Sequence, residues 1–351
     1  MQLGFQLIQM ATVFYLMIVQ PSVQNFQCNI TCLDLQSVQS KVKLQQITFR
    51  SGTKYFILDK VLILNGYPPD ISKTIELVDL TSKTSCILDD TYPNDLVYLG
   101  VGGVVNDTIL ICKGLGDDGN DCNVFHNNYF IASKSLNVPR YGAGSIETTN
   151  GLWITGGNDN TKIIQSTEFL TFNSALIGPN LPQPMAYHCM TRINDSIIAF
   201  VGGYEVDYLD TLYFYNEDSN TWTPGPNIKY KRAQHGCTTF KNSGKTYLLV
   251  GGGYDDVYLD TVEVLDLETL TWNEGPNLPT NLGYFDMITS PVTSSVFTFG
   301  GWDTDTPKDE VFELHCSGEL DTCTWVLVHR LMYPRRVYTS IILPRDSISC
   351  P

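Results

Sequence analysis

A strand-like run that stops on paired glycines recurs along the chain, and few folds accommodate such a pattern. TYLLVGGG ends at Gly253, IIAFVGG at Gly203, LWITGG at Gly157 and VFTFGG at Gly301, while degenerate copies, LILNG and LICKG, end at Gly66 and Gly114. The spacings between these glycines are 48, 43, 46, 50 and 48 residues, one period repeated six times. A unit of that length cannot bury its apolar face alone, so the units must stack on one another.

Each unit carries further features at nearly fixed offsets. Gly203 is followed by DYLDTLYFYNEDSNTWTPGPN and Gly253 by DVYLDTVEVLDLETLTWNEGPNLP, with Trp222 and Trp272 each 19 residues beyond their glycine. Upstream stand runs that open with basic or histidine positions: RYGAGSI from Arg140, AYHCMTRI from Ala186 and KRAQHGCTTF from Lys231. The short alternating and apolar segments predict four strands per unit, one before a hairpin turn, one ending in Gly-Gly, one like VEVLDL and one carrying tryptophan.

Double glycine, later tryptophan and Gly-Pro-Asn together resemble the kelch repeat. The likeness runs from about Lys54 to Pro344, with Leu176 in place of the tryptophan in the third unit and single glycines in the first two. It implies an all-β, six-bladed kelch-type β-propeller with four antiparallel strands per blade. The glycines and tryptophans of the signature are then scaffold rather than site. The chain ends on RRVYTSIILP, from Arg335, a first strand without the rest of its unit. That strand is expected to complete blade 1 and close the ring, ahead of the weaker alternative that residues 54–58 do so.

The expected organisation is a signal peptide over residues 1–24, a cysteine-containing segment over 25–53, the propeller over 54–344 and a tail over 345–351. The apolar stretch MATVFYLMIV is of secretory length and too short for a membrane span, and no anchor follows, so a secreted protein is expected. Ten cysteines suit an oxidising compartment. Cys316 with Cys323, and Cys112 with Cys122, flank short connections between neighbouring strands of a blade and are expected to form disulfides. Cys28, Cys32, Cys86 and Cys350 are assigned to tying down the termini, not to metal. Asn29, Asn106 and Asn194 head glycosylation sequons.

No nucleophile elbow, zinc-protease helix, phosphate loop or dinucleotide fingerprint occurs, and no cofactor or metal is expected. The acidic tract GLGDDGND lacks the ligand spacing of a calcium loop. A net charge of −15 argues against nucleic acid and anionic membrane as partners. What remains is binding of a protein or glycan. The alternative is a carbohydrate oxidase, since a copper-radical oxidase is also similar to a kelch propeller; His188 and His235, with Cys189 and Cys237 beside them, stand on corresponding innermost strands. A ubiquitin-ligase substrate receptor is a third class.

Alternating turns in an antiparallel blade place the loops after Gly-Gly on the same face as the interblade links, and the turns holding Asn106 and Asn194 on the other. The expected binding face therefore carries Tyr204, Tyr254 and Trp302 at its loops, and Arg140, Lys231, Arg232 and Arg335 from its links crowding the channel mouth. Tyrosine and tryptophan are the usual anchors of interfaces.

Overall fold

The computed structural model describes residues 59–343, apart from 65, 72, 89–97, 116–118 and 127–128, together with Ile348. These residues fall within one compact unit, Ile47–Pro351. The leader, Asn29, Cys28, Cys32, Cys350 and residues 54–58 lie outside the described residues.

Six antiparallel sheets of four strands form the blades of a ring. In blade 4 the order from the channel outwards is Cys189–Arg192, Ile197–Val201, Leu212–Asn216 and Thr221–Pro224. The second strands are apolar without alternation because both their faces are covered: every residue of Gly151–Thr155 is buried. Outermost strands alternate or are polar, as in Thr271–Glu274 with only Trp272 partly covered. Blade 1 is assembled from both ends of the propeller, as the truncated last repeat implies. Thr339–Ile342 is its innermost strand and pairs antiparallel with Lys60–Leu64, Val61 opposite Ile342 and Leu64 opposite Thr339.

The core consists of six clusters at the junctions between neighbouring blades. The junction of blades 3 and 4, for example, holds Trp153, Met185, Ile198, Phe200 and Tyr215, all at most 3% exposed. The paired glycines belong to these junctions. Gly252 and Gly253 have φ of +62° and +100°; a Cβ on Gly252 would stand 2.4 Å from the Leu282 carbonyl oxygen, the oxygen that accepts the Gly253 N–H at 2.7 Å. One blade thus touches the link into the next, backbone to backbone. The later tryptophan and the Gly-Pro are coupled in the same way. Trp272 Nε1 donates to the Pro226 carbonyl at 2.8 Å and Trp325 Nε1 to that of Pro276 at 2.9 Å, each bond reaching from a blade back to the link that precedes it.

Cys112 and Cys122 are bonded across the second and third strands of blade 2, and Cys316 and Cys323 across the connection between the last two strands of blade 6; each pair has its Cα atoms 4.0 Å apart. A third disulfide, Cys189–Cys237, joins the innermost strands of blades 4 and 5, with Cα atoms 5.9 Å apart. Cys86 is also disulfide-bonded. No helix among the described residues is long and apolar enough to cross a membrane.

Candidate functional site

On the face that carries the post-glycine loops, each interblade link contributes one left-handed residue to the rim of the central channel. These are Leu99, Gly142, Tyr187, Gln234, Tyr284 and Val337, with φ between 53° and 61°. Five of the six positions have side chains, which this conformation strains. A circuit of backbone hydrogen bonds holds them: Leu99 N–H donates to Val337 O, Gly142 to Leu99, Tyr187 to Gly142, Gln234 to Tyr187 and Tyr284 to Gln234, at 2.7 to 3.2 Å. The sixth bond, from Val337 N–H to Tyr284 O, is not made. Side chains span that junction instead: Asp286 N–H donates to Tyr338 Oη at 3.2 Å, Tyr338 Oη donates to Phe299 O, and Ser340 Oγ donates to Asp286 Oδ2 at 2.6 Å.

Inside this rim lies a cavity of about 150 Å³, lined among others by Tyr187, His188, Gln234, His235, Tyr284 and Asp286. His188 and His235 are 7% and 6% exposed. His188 Nε2 is 2.9 Å from Thr155 Oγ1 and His188 Nδ1 has no protein partner, while the His235 ring lies against the Val201 backbone. Burial lowers His188 to about 3, and burial, then the Arg232 charge and His188, hold His235 well below its ordinary value, so both rings are neutral at physiological pH. Burial also pushes the Asp286 carboxyl up to about 6, against the pull of its hydrogen bonds from Ser340.

Around the cavity runs an arc of aromatic side chains. Tyr204, Tyr208, Tyr254 and Tyr258 form a ladder across blades 4 and 5, with successive ring centroids 5.2, 5.8 and 4.9 Å apart. The residue after the glycines is locked by pairing with a link, Tyr204 with Ala186, Tyr254 with Ala233, Trp302 with Gly283 and Tyr67 with Arg336. Tyr204, Tyr254 and Trp302 are therefore presented at equivalent places and half-buried. Beyond the ladder, the Arg336 guanidinium stacks 3.7 Å from the Trp302 ring centroid and 4.7 Å from that of Tyr67.

The basic residues expected at the mouth are mostly elsewhere. Arg140, Arg232 and Arg335 are 2%, 0% and 0% exposed, each turned into its blade against Glu168, Glu263 and Glu76 at 2.7, 2.8 and 3.0 Å. Arg140 and Arg232 also cap the carbonyl of the first glycine of the pair, Gly156 O at 3.0 Å and Gly252 O at 2.6 Å. They are staples, and the expectation that they contact a ligand is corrected. Lys231 stays on the surface, where it pairs with Asp207 at 2.5 Å. Among the described link cations only Arg336 stacks on the aromatic arc. Cys189 and Cys237 are consumed in their disulfide, which leaves neither thiol for the tyrosine cross-link that the oxidase reading places beside His188 and His235. Asn106 lies in the turn between the first two strands of blade 2, and Asn194 in that of blade 4 with its Oδ1 accepting the Ser196 and Ile197 N–H groups; both turns are on the face away from the cavity.

Fold and rim define a six-bladed propeller whose chemically differentiated surface is one face of the ring. The chain belongs to the kelch-repeat family. Residues 122–301, just over half of it, match the family described as the KLHDC2/KLHL20/DRC7 Kelch-repeats domain. Kelch-like protein 40a of Danio rerio is 28% identical over 158 residues, which are 42% of this chain and 25% of that protein. This chain thus spans about a quarter of that relative's length. The solved structure of YjhT superposes with a TM-score of 0.57 at 17% identity, covering 70% of this chain and 87% of that one, a likeness of fold.

Proposed function

We propose that this propeller is a secreted, non-enzymatic binding module that holds a partner protein or glycan on the face formed by the post-glycine loops and interblade links. The observation that carries the reading is the aromatic arc from Tyr204 to Trp302. Half-exposed tyrosines and tryptophan, fixed by backbone pairing, offer large contact area at small entropic cost. Kelch propellers generally bind proteins, which favours a protein as the occupant. The disulfides support an oxidising compartment, and glycans on Asn106 and Asn194 leave the binding face bare.

The test is site-directed photo-crosslinking with the full chain. A crosslinker at the exposed Thr304, in the loop that begins at Trp302, should capture a discrete partner that one at Ser219, on the other face, does not. Replacing Tyr204, Tyr254 and Trp302 by alanine together should abolish the capture while the melting temperature stays near that of the parent. Equal capture from both faces, or capture that survives the triple replacement, overturns the assignment.

A further inference from the structure

The tyrosine ladder and the cavity meet at Tyr284, which lines the cavity and lies within electrostatic range of Tyr258, Tyr208 and Tyr254. The geometry points to the occupant of this joined surface: a basic, apolar segment of a partner protein that lies along the ladder and places a lysine or arginine side chain in the channel mouth beside Asp286. The inference rests on the reading of this face as the binding surface and adds the chemistry of what binds there.

Three independent features agree on a cation. Among the described residues Asp286 is the only charged one lining the cavity, and each neutral imidazole there carries one lone pair beside its one N–H, with His188 Nδ1 lacking a protein partner although the ring is more than nine-tenths buried. An ammonium or guanidinium group has only donors to give, and these are acceptors. The Tyr187 and Tyr284 rings, 6.4 Å apart and nearly perpendicular, wall the same cavity; the Arg336 guanidinium already stands 5.8 Å from the Tyr284 ring centroid, so the Tyr187 face is the one that favours an incoming cation. Along the ladder, Glu205, Asp207, Asp255 and Asp256 stand in two adjacent loops. Among the described residues their only salt bridge is Asp207 with Lys231. Mutual repulsion is felt there: burial first, then the neighbouring charges of Asp256 and Asp207, raise the Asp255 carboxyl.

The segment must also be apolar. Val206 and Val257 stand one position apart in register in the corresponding loops of blades 4 and 5 and are 88% and 61% exposed, an arrangement that leaves two branched hydrocarbons in water beside the tyrosines. Arg336 sets the direction of approach. Its guanidinium stands over Trp302, Tyr67 and, at 5.8 Å, Tyr284, and repels a second cation on that side of the mouth, so the segment lies over blades 4 and 5 and its cation enters from the Tyr187 side. An acidic segment anchored on Arg336 is the competing occupant, and it would have to cross the four carboxylates.

The experiment uses the full chain and three labelled peptides: alternating lysine and leucine, the same peptide with every lysine acetylated, and alternating glutamate and leucine, followed by fluorescence anisotropy. The lysine peptide should bind and weaken with added salt, and acetylation should cost about tenfold or more in affinity, the scale of one hot-spot contact. Asp286→Asn, which keeps an acceptor for Ser340, should weaken it about tenfold, as should Asp255→Asn with Asp256→Asn, and Val206→Ser with Val257→Ser. Asp218→Asn, on the opposite face, should leave it unchanged. Tighter binding of the glutamate peptide, absence of binding by the lysine peptide, or full affinity in the Asp286→Asn chain overturns the inference. If these fail while the aromatic triple variant still loses its crosslinked partner, the face remains the binding surface and only the basic occupant falls.

Discussion

Arg232 and Glu263 lie 2.8 Å apart with side chains 0% and 3% exposed, and the pair recurs as Arg140–Glu168 and Arg335–Glu76 in blades 3 and 1. The corresponding link positions of blades 4 and 6 are Met185 and Leu282, both buried. Alternate blades therefore solve one packing problem with charge and with hydrocarbon.

Breaking such a pair strands a charge out of water. Arg232→Leu alone is expected to cost about 3–5 kcal/mol. Adding Glu263→Gln removes the stranded charge and keeps one carbonyl oxygen as acceptor for the Lys229 N–H, the closer of the two backbone donors, so the double variant should regain a substantial part. Urea denaturation of the single and double variants measures both quantities; a double variant no more stable than the single one contradicts the account.

The disulfide between Cys189 and Cys237 closes a segment with a sequence separation of 48. In the chain-entropy description a loop of that size contributes about 4 kcal/mol. Non-reducing peptide mapping should recover the pair, and replacing both cysteines with serine should lower the melting temperature while the other bridges remain.

Acid should weaken the fold through the channel histidines. Unfolded, His188 and His235 titrate near 6.5; folded, burial holds His188 at about 3 and His235 well below its ordinary value. As pH falls below 6.5 the unfolded chain takes up protons that the folded one refuses, and stability drops. Between pH 6.5 and 5 the loss from His188 alone is about 2 kcal/mol. Asp286 works in the opposite sense: its folded value of about 6 exceeds the unfolded one, so its contribution is full at low pH and disappears as pH rises through 6. His188→Gln should flatten the acid loss and Asp286→Asn should steepen it, and denaturant midpoints at pH 7 and pH 5 check both signs.

Ring closure by Thr339–Ile342 protects the edge of Lys60–Leu64, in which Val61, Leu62, Ile63 and Leu64 are all 0% exposed. Truncation before Arg336 should bare that edge and produce aggregates visible by light scattering. A truncated chain that stays monomeric with an unchanged melting temperature contradicts closure.

The repeat period carried the architecture: paired glycines, Trp272 and Gly-Pro all serve contacts between neighbouring blades, so their spacing in the sequence follows the spacing of blades in space. The same alignment exposed Tyr204, Tyr254 and Trp302, because they directly follow the glycines. It misplaced Arg140, Arg232 and Arg335, since a basic residue in a link reads the same whether it faces water or turns back onto a glutamate two strands away. That partner was legible only by comparing Glu76, Glu168 and Glu263 at matching positions of alternate units. The rim residues Tyr187, Gln234 and Tyr284 share a register but no residue type, because backbone conformation rather than side chain defines their place. Asp286 went unread for a related reason: the equivalent position in the other blades holds Val101, Gly144, Cys189, Gly236 or Thr339.

The circuit of backbone hydrogen bonds around the mouth is made five times and omitted once, between Tyr284 and Val337. A bracelet of this kind has a clasp. Five of its links depend on peptide groups that no substitution can remove short of proline, while the sixth depends on Tyr338, Ser340 and Asp286. Sequence change can retune that one fastening without touching the rest, and because Asp286 also faces the cavity, whatever settles in the mouth bears directly on how firmly the last blade is held to the first.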